Sequence, residues 1–378
     1  MKRVSIYLAL IVSLVFTYSC DKVKSENQKK SEVKEVTAKK PVVLESKLFL
    51  NLPETFNSPA SGDIDSEGNI YFTSPNFHND ALIKSGDMKT PATPTIGKVD
   101  QNNQLTTWYT FKPEDMEKTS GKIAPFGLAF GPDGNAYLAD MQLWFNGQSR
   151  ILRINVEEGK ATSIDVVAVG MSFPNALVWK GNDLYISDTV LGETEDGKHV
   201  SGIYKVNISE LNAKNPVKIS TSLGDENPHL FETFISNGSL KFGANGLAID
   251  GEGNIYTGIM EEGTVLKTTV DTNNNVITTP FAKGMVATDG MKWDARTNKL
   301  YITDLFANAV YSIDMNGDLD LLVKNGNTNG DDGLLDAPSE VVIRGNEIIV
   351  LNFDATFDVP NMVNKSPDAP YTLSVITL

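Results

Sequence analysis

Two asparagines and an aspartate open the same short phrase at three successive places in this chain. Asn175 leads Asn175-Ala176-Leu177, Asn245 leads Asn245-Gly246-Leu247, and Asp289 leads Asp289-Gly290-Met291. Carboxamides and a carboxylate are hard oxygen donors, the ligand type that Ca²⁺ or Mg²⁺ takes. Each alone also reads as a turn residue, because Asn and Asp before Gly are common in turns. Three in one register are harder to reach by chance. If one scaffold holds them side by side, they can gather a divalent cation.

The scaffold is written in the repeats around them. Ala60 to Tyr71, Phe126 to Tyr137 and Asn245 to Tyr256 are three close copies of one pattern: an apolar strand, an Asp/Gly-rich hairpin turn and a second apolar strand. Looser copies start at Asn175, Asp289 and Ser339. A hairpin that cannot bury its own apolar face, repeated along a chain, is the mark of a β-propeller. The pattern therefore predicts an all-β chain folded as a six-bladed β-propeller. The first residues of the copies, Ala60, Phe126, Asn175, Asn245, Asp289 and Ser339, should then converge at one end of the central channel. A strand at Leu48 to Leu52 and a chain end at Tyr371 to Leu378 suit a last blade closed by both termini, which protects open edges. No helical period persists for about 12 residues in the domain. The two longest gaps between copies place insertions near Ser74 to Thr95 and within Leu191 to Leu240, either lids over the channel or plain surface loops.

Formal charge is −15 over 378 residues, which disfavours binding to phosphate backbones, so no nucleic-acid partner is expected. The single cysteine, Cys20, leaves no disulfide framework and no Cys-based metal site. Lys2 and Arg3 precede an apolar run from Val4 to Phe16, and Thr17-Tyr18-Ser19-Cys20 follows. Residues 1–20 thus read as a secretory leader, with Cys20 placed as the lipidated residue of a bacterial lipoprotein; an ordinary leader containing a cysteine is the alternative. Residues 21–42 read as a disordered polar tether, with seven Lys against four acids up to Lys40. Residues 43–378 are left for the propeller, and the expected location is the bacterial cell envelope, with membrane contact through the lipid anchor only.

At Pro174-Asn175-Ala176-Leu177, Ala244-Asn245-Gly246-Leu247 and Thr288-Asp289-Gly290-Met291 the chain resembles the senescence-marker-protein, gluconolactonase and luciferin-regenerating-enzyme (regucalcin-like) family. The resemblance implies a six-bladed propeller holding one divalent cation, Ca²⁺ by expectation, through a blade-one Glu, Asn from blades three and four, and Asp from blade five. Asn175, Asn245 and Asp289 match; Ala60 stands where the Glu would be. Ser58, Ser61 or Asp63 lies close enough to substitute, although strand alternation turns Ser61 and Asp63 away from the side that Ala60 faces. The activity implied is metal-dependent hydrolysis of a small lactone or ester at the channel mouth, with Asp289 as ligand and catalytic base. Phe126 would wall the substrate pocket or plug the channel.

Other chemistries lack their signatures. No Gly-x-Ser-x-Gly elbow is present. His78, His199 and His229 show no metal spacing, and His78, just after the first copy, is the candidate for proton transfer in the pocket. Asp63-x-Asp65-x-Glu67-Gly68 imitates the start of a calcium loop but has Ser74 where a bidentate Glu is required, so it reads as a hairpin turn. A non-catalytic propeller serving as a ligand- or protein-binding module is the competing reading.

Overall fold

The computed structural model describes residues 43–223 and 227–378; the leader, the tether and Cys20 lie outside the described residues. Six sheets, antiparallel but for one added strand in blade two, follow one another along the chain, and the inner strand of each belongs to a repeat copy. Their innermost strands are Gly62–Ile64, Pro125–Phe130, Pro174–Lys180, Ala244–Ile249, Thr288–Asp294 and Pro338–Arg344. Each packs against the innermost strand of the next blade, and the last packs against the first, so the ring closes. In blade six, Ser46–Asn51 pairs antiparallel with Thr372–Thr377. The first and last strands share a sheet, as the terminal apolar runs predict.

The Asp-rich turns explain themselves locally. Asp65 Oδ1 accepts the backbone N–H of Glu67 and of Asn69, both at 2.9 Å, and Asp250 Oδ1 does the same for Glu252 and Asn254. Tyr71 and Tyr256 donate their hydroxyls to the second oxygens, at 3.1 and 3.0 Å. These carboxylates are spent on closing hairpins, and the calcium-loop imitation at Asp63–Gly68 is one such hairpin. The tyrosine rings then fill the seams between blades. Tyr71 meets Phe130 of blade two at 4.9 Å and Tyr137 meets Trp179 of blade three at 4.9 Å. Such edge-on pairs contribute about 0.5–1.5 kcal/mol each beyond their burial.

The first insertion contains one short helix, Asn79–Ser85. Most of the second is extended: Asp183–Glu193 and His199–Asn207 lengthen blade three, and Val217–Lys218 adds a parallel fifth strand to blade two. No helix among the described residues is long and apolar enough to cross a membrane.

Candidate functional site at the channel mouth

The inner strands of blades two to six each start with a bulge. In blade three the pairing steps from Pro174↔Asp188 to Leu177↔Ile186, so Asn175 and Ala176 share one partner position. The same slip isolates Asn245-Gly246, Asp289-Gly290 and Phe126-Gly127 in their blades. A bulge breaks the two-residue alternation and re-aims side chains, which turns local irregularity into a shared direction. Ala60, Phe126, Asn175, Asn245, Asp289 and Ser339 all line one cavity of about 50 Å³. Ser61 lines it too, contrary to the alternation argument, because regular pairing in blade one starts only at Gly62. Asp63 is held elsewhere; its carboxylate accepts the N–H of Phe130 at 3.0 Å.

The glycines of the phrase are contact residues between blades rather than turn residues. A Cβ on Gly127 would stand 2.1 Å from the carbonyl oxygen of Asn175, and one on Gly246 would stand 2.2 Å from that of Asp289. Hydroxyls from second strands hold the same carbonyl row: Thr73 reaches Phe126 O at 3.0 Å, Ser187 reaches Asn245 O at 2.6 Å, and Thr303 reaches Ser339 O at 3.1 Å. Buried aspartates fix the approach to each site residue. Asp188 accepts the N–H groups of Ser172 and Phe173 ahead of Asn175, and Asp304 accepts those of Val286 and Ala287 ahead of Asp289. Burial pushes Asp188 up to about 6, with these N–H bonds partly offsetting it.

Within the cavity, Asn175 Nδ2 donates to Thr189 Oγ1 at 3.3 Å and Asn245 Nδ2 to Met260 Sδ at 3.3 Å. Neither carboxamide oxygen accepts a hydrogen bond from the described residues, so both remain free to accept one from a ligand or to coordinate a cation. Burial, then the charge of Glu340, raises Asp289 well above the ordinary carboxylate range, against a hydrogen bond from Asn245. A nearby cation would favour the ionised form of a carboxyl so placed. The two carboxamide oxygens of Asn175 and Asn245 and the Asp289 carboxyl around one small cavity are the donor types that a hard divalent cation takes.

Most of the rest of the wall is aromatic, with Thr189, Met260 and Leu305 completing it. Phe126 lines it as the sequence predicts, and Trp144, Phe173, Phe242, Phe353 and Phe357 join it from loops that no repeat marks. Edge-on contacts of Phe173 with Phe126 at 5.7 Å, with Trp144 at 5.4 Å and with Phe242 at 6.0 Å make a continuous collar. Trp144 is 44% exposed and forms the outer rim. His78 does not line the cavity. Its Nδ1 lies 2.7 Å from the hydroxyl of Tyr371, its ring packs behind Phe353, and burial lowers its pKa to about 4. It is a neutral supporting side chain at ordinary pH. His199 is buried with Nε2 at 2.8 Å from Thr189 O, and His229 pairs with Glu210 at 3.0 Å.

Sequence reasoning missed an ion pair further along the inner strands. Lys292 Nζ lies 3.4 Å from Glu340 Oε2, and Ser61 Oγ donates to the same oxygen at 3.2 Å. The available signal was a charged residue interrupting an apolar strand, in Met291-Lys292-Trp293 and Ser339-Glu340-Val341.

No protein-family model matches this chain, and no curated protein matches it in sequence. Its fold is shared widely among solved structures. A putative gluconolactonase aligns over 89% of this chain and 93% of its own, with TM-score 0.53 and 13% identity. A luciferin-regenerating enzyme aligns over 88% and 95%, with TM-score 0.54 and 13% identity. The PQQ-bound aldose sugar dehydrogenase of Streptomyces coelicolor aligns over 89% and 99%, with TM-score 0.56 and 13% identity. The propeller architecture expected from the family resemblance is therefore the one observed. Proteins named for different chemistries are equally similar, so function must be argued from the site.

Proposed function

We propose that this chain is a divalent-cation-dependent hydrolase of a small lactone or ester, working at the channel mouth and tethered to the bacterial envelope through a lipid on Cys20. One observation carries the reading: the same bulge position in three consecutive blades delivers Asn175, Asn245 and Asp289 to one aromatic-walled cavity. A bound cation, with Ca²⁺ the expected ion, would polarise a carbonyl and acidify a water. The protein's own groups supply the rest. Phe126, Phe173 and Trp144 offer flat apolar faces to the substrate's carbon skeleton and exclude water from the reacting centre. Asp289, ionised when the ion is bound, would accept the proton that an attacking water gives up.

The test is hydrolysis of a panel of aryl and alkyl lactones by the full chain, with CaCl₂ or with chelator. Turnover with CaCl₂, lost with chelator and in Asp289→Asn, is the expected result. Turnover that survives both changes would refute the proposal, as would no turnover of any lactone or ester.

A second reading has its own support. Asp289 is the only carboxylate among the residues lining the cavity, with Ala60 at the blade-one position, and most of the wall is apolar. A binding module for a small apolar ligand needs no more than that. Such a ligand would raise the melting temperature in chelator without being consumed.

A further inference from the structure

Blade six carries a second acidic constellation that shares no residue with the mouth cavity. Asp336 precedes the inner strand, Asp354 follows the second strand, and Asp368 ends the long connection back to Thr372–Thr377. One carboxylate oxygen from each lies within 4.8 Å of those of the other two. Asp336 and Asp354 are only 2% and 1% exposed, while Asp368 is half-buried and leaves a way in. None of the three forms an ion pair with a Lys, Arg or His among the described residues.

Three side chains leave buried oxygens without partners there. Asp336 Oδ1 accepts no hydrogen bond, although the residue is 98% buried in the fold's loop region. Asn364, equally buried, donates from Nδ2 to Asp354 Oδ1 at 2.6 Å, while its own Oδ1 is unpartnered. Asp368 Oδ1 is unpartnered too, and its backbone N–H donates to Asp354 Oδ2 at 2.7 Å. Leaving several buried acceptors unmet is costly, and more so when they carry charge. Oxygen-only donors, three of them carboxylates, are the ligand set of a hard cation.

We propose that Asp336, Asp354 and Asp368, with the Asn364 carboxamide, form a second divalent-cation site of calcium type that pins the 353–371 connection to blade six. That connection supplies Phe353 and Phe357 to the aromatic wall, so the ion would order one side of the mouth without touching substrate.

The proposal is independent of the mouth site, and the experiment separates them. The full chain is stripped with chelator and titrated with CaCl₂ by calorimetry, as wild type and as Asp289→Asn. Asp289→Asn should still bind one Ca²⁺ per chain. Adding Asp336→Asn or Asp368→Asn to it should abolish that binding or weaken it by about tenfold or more. CaCl₂ should raise the melting temperature of Asp289→Asn by roughly 5 °C when far above its Kd. Asp336→Asn in chelator should melt above wild type, since a neutral amide is cheaper to bury there than an acidic side chain, and this also shows that it folds. If Asp289→Asn binds no Ca²⁺ and its melting temperature ignores CaCl₂, the blade-six site is refuted. Full binding retained in both Asp336→Asn and Asp368→Asn would refute it equally. One Ca²⁺ bound by wild type and by Asp289→Asn alike would uphold it and count against the mouth site alone.

Discussion

Lys292 and Glu340, on the inner strands of neighbouring blades five and six, meet at 3.4 Å, and the Glu340 charge also bears on Asp289. Burial works against the charge on Lys292, but Glu340 and then Asp63 outweigh it and raise its pKa. Glu340 is itself raised by burial, with Lys292 offsetting part of that cost. The pair thus keeps a second anion tolerable beside Asp289.

Removing the cation should be worse than removing the pair. Lys292→Met leaves Glu340 without its counter-charge and should cost about 3 kcal/mol in urea unfolding. Lys292→Met with Glu340→Gln should recover most of that loss. A single variant as stable as wild type would show the pair to be solvated and idle.

Stability in chelator should rise as pH falls from about 8 to about 5. Asp188 at about 6, Asp354 at about 7 and Asp336 at about 9 all stand above the ordinary value of 3.8. Raised carboxyls bind protons more tightly in the folded chain, so their contribution is present in acid and fades as pH rises through those values. Melting curves across this range check the slope, and saturating CaCl₂ should flatten it. A melting temperature that falls steadily toward pH 5 in chelator would contradict the assignment.

Gly246→Ala should cost about 2 kcal/mol or more and weaken cation binding at the mouth, because its Cβ would stand 2.2 Å from the Asp289 carbonyl oxygen. Gly192→Ala is the control, since a Cβ there meets nothing within 4 Å. Equal melting temperatures for the two variants would show that the blades yield at that seam.

Ala60→Glu should tighten Ca²⁺ at the mouth by about tenfold, since it brings a second carboxylate to the cavity edge. Calorimetry in an Asp368→Asn background reads the mouth alone. No gain in affinity, with the fold intact, would argue for the binding-module reading.

Cys20→Ala should abolish lipid attachment. Metabolic labelling with a fatty acid is expected to mark the wild type only, and equal labelling of both would count against a lipid on this residue.

The blade count, the closure by both termini and the common start of the inner strands were legible in the chain because they rest on local rules. Strand alternation, Asp/Gly hairpins and a recurring phrase such as Asn245-Gly246-Leu247 are short-range signals, and each copy repeats them. Direction and company were not legible. Ser61 reaches the cavity only because pairing starts one residue later, and the glycines of the phrase answer to a neighbouring blade's carbonyl, not to a turn. Trp144, Phe173, Phe242 and Phe353 line the cavity from four separate loops, whose composition carries no period. Lys292 with Glu340, and Asp336 with Asp354 and Asp368, meet only when the ring closes and the last connection folds back. Backbone pattern is decided by neighbours in sequence; the electrostatics of a site is decided by neighbours in space, and those exist only in the folded chain.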